Sequence, residues 1–136
     1  MEQVNHPYSY KRGEHLKLRK AIEMVFAQNN VLRSGPIKLI FAVEPAETFS
    51  YQVGFVAPKK IHHFAVDRNR NKRLMREAFR LNKHILTGRM GNKTAKLSFL
   101  LVAQNSRPMS FVDVESAVRQ LLARLSEKVG AEGADL

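Results

Sequence analysis

Leu97 to Ala103 reads Leu-Ser-Phe-Leu-Leu-Val-Ala, the most apolar run in a chain of 136 residues. Successive strand side chains point to opposite faces, so a near-continuous apolar run suits a strand buried on both. The run is predicted as a central strand, inside a sheet with helices packed on it. The segments around it supply both kinds of element. Leu18, Ile22, Val25 and Phe26 recur at spacings of three and four, which predicts a first helix from Glu14. Asn29, Asn30, Ser34, Gly35 and Pro36 then break the chain. Ile37–Val43 and Ser50–Val56 read as two strands joined by a turn at Glu44–Glu47, an expected antiparallel hairpin that Pro58 ends. Lys59–Val66 is a basic connection with room for a short extended stretch. A long helix is expected from Asp67, its N-cap, to about Leu86. Gly88 and Gly91 bracket a basic loop. Ser110 can cap a last helix that buries Phe111, Val114, Val118, Leu121, Leu122 and Leu125.

Charge narrows the function. From Tyr51 to Lys93 there are eleven Lys or Arg and two acids, so +9 of the chain's formal +11 lies in that stretch. A surface of this density repels itself unless a polyanion covers it, and a nucleic-acid backbone is the usual one. There are no cysteines, which excludes disulfides and thiolate metal sites. The amino terminus lacks the apolar core of a signal peptide, and no run of about 18 apolar residues spans a membrane. A cytoplasmic protein without membrane contact is the expectation.

The basic character concentrates on the long helix. Residues 68–80 hold six cations against Glu77 alone. At 100° per residue, Arg68, Lys72, Lys83, Arg76, Asn69, Arg80 and Arg73 fall within an arc of roughly 140°, with Arg70 near its edge. Leu81, Leu74, Ile85, Ala78, Met75, Leu86 and Phe79 take most of the opposite side, an arc of roughly 160°. A solvated helix face normally interleaves both signs at i,i+4, and this one does not. A membrane-surface helix would keep its apolar face for lipid, whereas here the core needs it. Arginine predominates, and its planar guanidinium grips phosphate bidentately or stacks on a base.

Chemistry by the chain alone has little to work with. A metal-free nuclease wants two histidines converging on one phosphate. His62 and His63 are adjacent, so in extended backbone they point apart, and both are expected to be ordinary loop residues. No phosphate loop, zinc spacing or compact acidic cluster is present. A DNA-binding or ribosomal protein remains an alternative, although no helix-turn-helix spacing precedes the basic helix.

The string Arg68–Phe79, RNRNKRLMREAF, resembles the arginine-asparagine-arginine signature of the protein subunit of bacterial ribonuclease P. Val53–Ile61, VGFVAPKKI, stands shortly before it, as in that family, and Met24–Phe26 matches the end of the family's opening helix. The likeness covers roughly Leu16 to Leu125. Three departures stand out: Ile22 where an aromatic is common, a longer link at His62-His63-Phe64, and an extended loop at 87–94.

The resemblance implies a single α+β sandwich of order αβββαβα, a mixed sheet packed by helices with a left-handed βαβ crossover. Residues 14–128 would form the RNA-binding domain, between a basic arm at 1–13 and a frayed tail at 129–136. It further implies that a catalytic RNA with bound magnesium removes the 5′ leader of precursor tRNA, while the protein binds ribonuclease P RNA and the leader. Arg68, Asn69, Arg70, Lys72, Arg73, Arg76 and Arg80 would contact the catalytic RNA. Phe26, Ile22, Lys59 and Lys60, with Phe41 or Phe55, would line a groove for the single-stranded leader, although for Phe41 and Phe55 a place in the core is an equal alternative, since aromatics at strand spacing are more often buried. No catalytic residue and no protein metal ligand is implied.

Overall fold

The computed structural model describes residues 19–90, 94–105 and 109–134. The expected arm, the start of the first helix before Arg19 and the glycine-rich centre of the 87–94 loop lie outside those residues. The elements are α1 (Arg19–Gln28), β1 (Asn30–Ser34), β2 (Ile37–Pro45), β3 (Ser50–Val56), α2 (Ala65–Asn82), α3 (His84–Met90), β4 (Ala95–Ala103) and α4 (Phe111–Ala134).

One four-stranded mixed sheet runs in the order β1-β2-β4-β3. β4 is central, as its composition predicts, with all but one of its nine residues buried. The hairpin expected between Ile37–Val43 and Ser50–Val56 does not form. β4 lies between those strands instead: Val43 and Tyr51 both face Leu97, the first antiparallel and the second parallel. A strand apolar on both faces loses most by sitting at an edge, so β4 takes the interior place and keeps β2 and β3 apart. The hairpin that does form joins β1 to β2, where a break was expected. Ser34 pairs with Ile37 across a two-residue turn, and Gly35 supplies its left-handed φ of 54°. Asn29, also left-handed, closes α1.

Period-two alternation splits the core. Ile37, Leu39 and Phe41 of β2, with Leu97, Phe99 and Leu101 of β4, face a layer made by α2, α3 and α4. Ile40, Ala42, Leu100 and Val102 face the other way and pack on Val25 of α1. Phe79 of α2 anchors the larger side, edge-on to Tyr51, Phe55 and Phe99 at centroid distances of 6.0–6.1 Å.

Three helix boundaries differ from expectation. α2 starts at Ala65 with Phe64 as an uncapped N-cap; Asp67 lies inside the first turn, where a carboxylate suits the helix dipole. α2 ends at Asn82 and a separate α3 follows, so Gly88 is helical and the long helix is two. The Asn82 amide donates back to Ala78 O at 2.8 Å and reaches Glu115 on α4 at 3.2 Å, which marks the break. α4 continues to Ala134, past the predicted end of the domain. Val129 extends the stripe of Leu122 and Leu125 and is buried with them, which carries the helix into the expected tail. Ser110 caps α4 as predicted, accepting from Asp113 N at 3.1 Å.

Candidate nucleic-acid interface

α2 turns Asn69, Arg70, Arg73 and Arg76 to solvent. On the helical wheel these span roughly 80° to 200° from Arg68. The exposed arc is therefore rotated away from the predicted one. Arg68 and Lys72 lie half-buried at its seam, and Lys83 is the buried C-cap of α2 and not part of the cationic face. The cause is Asn71, which stands among basic residues in the sequence and is completely buried in the structure. Its burial rolls the helix toward the Arg68 edge.

Asn71 is held by His62, itself only 1% exposed. His62 Nδ1 lies 3.1 Å from Pro58 O, which can only accept, so Nδ1 carries the hydrogen and donates. Nε2 is then the acceptor, and Asn71 Nδ2 donates to it at 2.9 Å. The orientation of the amide is consistent, because Asn71 Oδ1 accepts from Met109 N at 3.5 Å. Arg68 Nη1 donates to His62 O at 3.0 Å. His62 thus ties the turn after β3 to the signature helix. The expectation of an ordinary loop residue fails for His62. His63 is exposed where its neighbour is buried, so the two histidines do not converge.

Lys59 and Lys60 are exposed in that same turn, which Pro58 O closes by accepting from Ile61 N and His62 N. Arg76 lies over the Phe55 ring at 5.9 Å, a cation–π contact that steadies its guanidinium. Arg80 donates to Glu77 at 2.5 Å, so its charge is already partly matched. That hydrogen bond holds the Glu77 carboxyl below its usual value, against a smaller desolvation effect.

The predicted leader groove divides. Phe26 is 52% exposed on α1, with Ile22 one turn before it and half-buried. Phe41 is fully buried in the larger core and is no platform. Phe55 is half-buried but packs into that same core, on the face of the sheet away from α1. Strand alternation puts both outside the groove, since odd-numbered residues of β2 and β3 face α2. Even-numbered positions face α1. There Gln52, paired in register with Ser98, keeps a buried Oε1 with no hydrogen-bond partner among the described residues. Sequence reasoning passed over Gln52; a polar residue on the strand face lined by Val56 was the available signal.

Among the described residues no three His, Asp or Glu side chains gather as a metal site. No helix among them is long and apolar enough to cross a membrane.

An α+β domain that shows solvent an arginine-rich helix face of one sign belongs, as a class, with the proteins that bind polyanions. The family is specific: residues 10–126 match the Ribonuclease P family model, and the chain belongs to that family. It is 36% identical to the ribonuclease P protein component of Chlorobaculum tepidum over 124 residues, covering 84% of this chain and 80% of that one. The component from Porphyromonas gingivalis is 29% identical over 123 residues, with 90% of each covered. The fold is similar to that of the Thermotoga maritima RNase P protein, with a TM-score of 0.63 at 23% identity, over 82% of this chain and 96% of that one. The Staphylococcus aureus protein gives 0.62 at 15%, over 84% and 96%. Membership makes this chain a protein subunit of an endoribonuclease ribonucleoprotein.

Proposed function

We propose that this chain holds ribonuclease P RNA along the exposed face of α2 and guides the 5′ leader of precursor tRNA past α1, while the RNA performs the cleavage in the cytoplasm. The observation that carries the proposal is the run Asn69, Arg70, Arg73 and Arg76, exposed with no free acid among them. These would take phosphates directly. Arg68 and Lys72 would reach them from the seam, and Arg80 would contribute after exchanging Glu77 for phosphate. For the leader, Phe26 offers a stacking face, Ile22 stands one turn before it on α1, and Lys59 and Lys60 hold the backbone. Phe55 serves as the support for Arg76.

The magnesium is assigned to the RNA, whose phosphates are ordinary ligands for that ion. The protein's part is electrostatic: cations beside two RNAs screen their repulsion and lower the magnesium required. Residues 14–128 carry these contacts, and Lys11 and Arg12 of the arm supply two further cations for phosphate.

The test is precursor-tRNA cleavage at low magnesium with protein alone, RNA alone and both. Cleavage restored only by the pair supports the proposal; cleavage by the protein alone refutes it. Arg70→Ala and Arg73→Ala should each weaken RNA binding and flatten its log–log salt slope by about 0.7–0.9. An unchanged slope in both variants removes α2 from the interface.

A further inference from the structure

Phe64 is 71% exposed, more than Phe26, the other exposed phenylalanine among the described residues. Nothing in the fold accounts for a phenylalanine there. It occupies the N-cap of α2, where Ser, Thr, Asp or Asn would bond the first turn, and it makes no cap bond. It is absent from both core clusters. A single exposed aromatic is ordinary on most surfaces. This one stands between two cationic groups: from Lys59 to Arg73 there are six Lys or Arg and only Asp67 against them.

Its backbone is fixed on both sides. Before it, His62 is pinned through Nδ1 to Pro58 and through Nε2 to Asn71. After it, Arg68 N donates to Phe64 O at 3.1 Å, closing the first turn of α2, while the Arg68 guanidinium reaches back to His62 O. The ring is thus carried on a segment that has little freedom left to lose on binding. A fixed, exposed aromatic between cations is the combination that receives an unpaired nucleotide: phosphates go to the charges and the base lies on the ring.

We propose that Phe64 is a stacking platform for one unpaired base of the catalytic RNA. This rests on the assignment of α2 to that RNA. The catalytic RNA is favoured over the leader because Phe64 leads into α2, which exposes Asn69, Arg70 and Arg73, whereas Phe26 and Ile22 stand on α1, across the sheet. His63 and Val66, close to it in the chain, are exposed as well.

The chain contains no tryptophan, so Phe64→Trp introduces a single indole emitter at the platform. Titrating that variant with ribonuclease P RNA should quench and shift its emission, while a leader oligonucleotide alone should not. Phe64→Ala should bind the RNA on the order of tenfold more weakly, and Phe64→Tyr should bind like the parent. The ring is exposed, so these variants fold. The parent protein runs in the same titration: if it fails to bind the RNA, the functional proposal falls and this one with it. If the parent binds, Phe64→Ala matches it and the emission of Phe64→Trp stays unchanged, the platform alone is overturned. Quenching by the leader alone would also overturn it, in favour of a leader contact.

Discussion

Replacing His62 by alanine should destabilise the protein by about 4 kcal/mol, a large share of the roughly 5–15 kcal/mol that holds a domain together. The magnitude follows from three losses. Asn71 Nδ2, buried at the helix–loop seam, loses its acceptor at 2.9 Å, and an orphaned buried donor costs about 1–3 kcal/mol. The Nδ1 bond to Pro58 O goes too, at about 1 kcal/mol net, since that carbonyl keeps Ile61 N and His62 N. An unrelaxed imidazole-sized void, roughly 60 Å³ at about 24 cal/mol per Å³, adds about 1.5 kcal/mol. With a urea m-value of about 2 kcal/mol per M, the unfolding midpoint should fall by about 2 M. The sharper readout is a double-mutant cycle. His62→Ala and Asn71→Ala remove the same bond, so together they should cost about 1–2 kcal/mol less than their separate losses combined. His62→Gln, which keeps one donor and one acceptor, should fall between parent and alanine. Strict additivity, or a midpoint shift under about 0.5 M, would show that the clasp between the lysine turn and α2 contributes nothing.

Phe41→Ala should cost about 3–5 kcal/mol in chemical unfolding and leave the ratio of precursor to mature tRNA affinity unchanged; a changed ratio at full stability would return Phe41 to the leader groove. Phe26→Ala should do the reverse, weakening precursor binding more than mature tRNA binding with little loss of stability, and equal losses on both ligands would argue against a stacking role. Glu77→Gln frees Arg80 and should strengthen RNA binding while steepening its salt dependence; weaker binding would mean that Glu77 positions Arg80 for the RNA. The same variant bears on pH. The Glu77 carboxyl is lowered in the folded protein, so its small contribution is present above the ordinary carboxylate value and is lost as pH falls below it. Acid unfolding of Glu77→Gln should therefore be slightly less pH-dependent in that range than the parent's, and coincident curves would show the ion pair to be inert.

The parts of the fold set by local chemistry were legible. β4 followed from its apolar run, α4 from its stripe and its Ser110 cap, and α2 from a two-faced wheel. Pairing was not, because partner choice in a sheet depends on which strand most needs the interior, and β4 lies two helices beyond β3 in the chain. The interface shows the same division. The exposed arginines could be read from their spacing, since charge is an outward property. The roll of α2 could not, because it depends on Asn71 meeting His62, and a polar residue in a basic run carries no mark of burial. Phe41 and Phe55 stayed open between groove and core for the opposite reason: aromatic type allows stacking, while strand parity, known only once the sheet is assembled, decides the side.

The central place of β4 also sets an order of assembly. During synthesis α1, the β1–β2 hairpin, β3 and the whole arginine face emerge before the strand that joins them. Until Ala95–Ala103 follows, β3 has no neighbour to pair with and α2 has no completed core beneath it. A ribosome-bound or truncated chain ending before Ala95 thus holds every exposed α2 residue proposed to contact RNA and yet has no rigid surface on which to display them. If α2 is the RNA face proposed above, binding should wait for the last third of the polypeptide, and an unfinished subunit should compete poorly for RNA with a finished one.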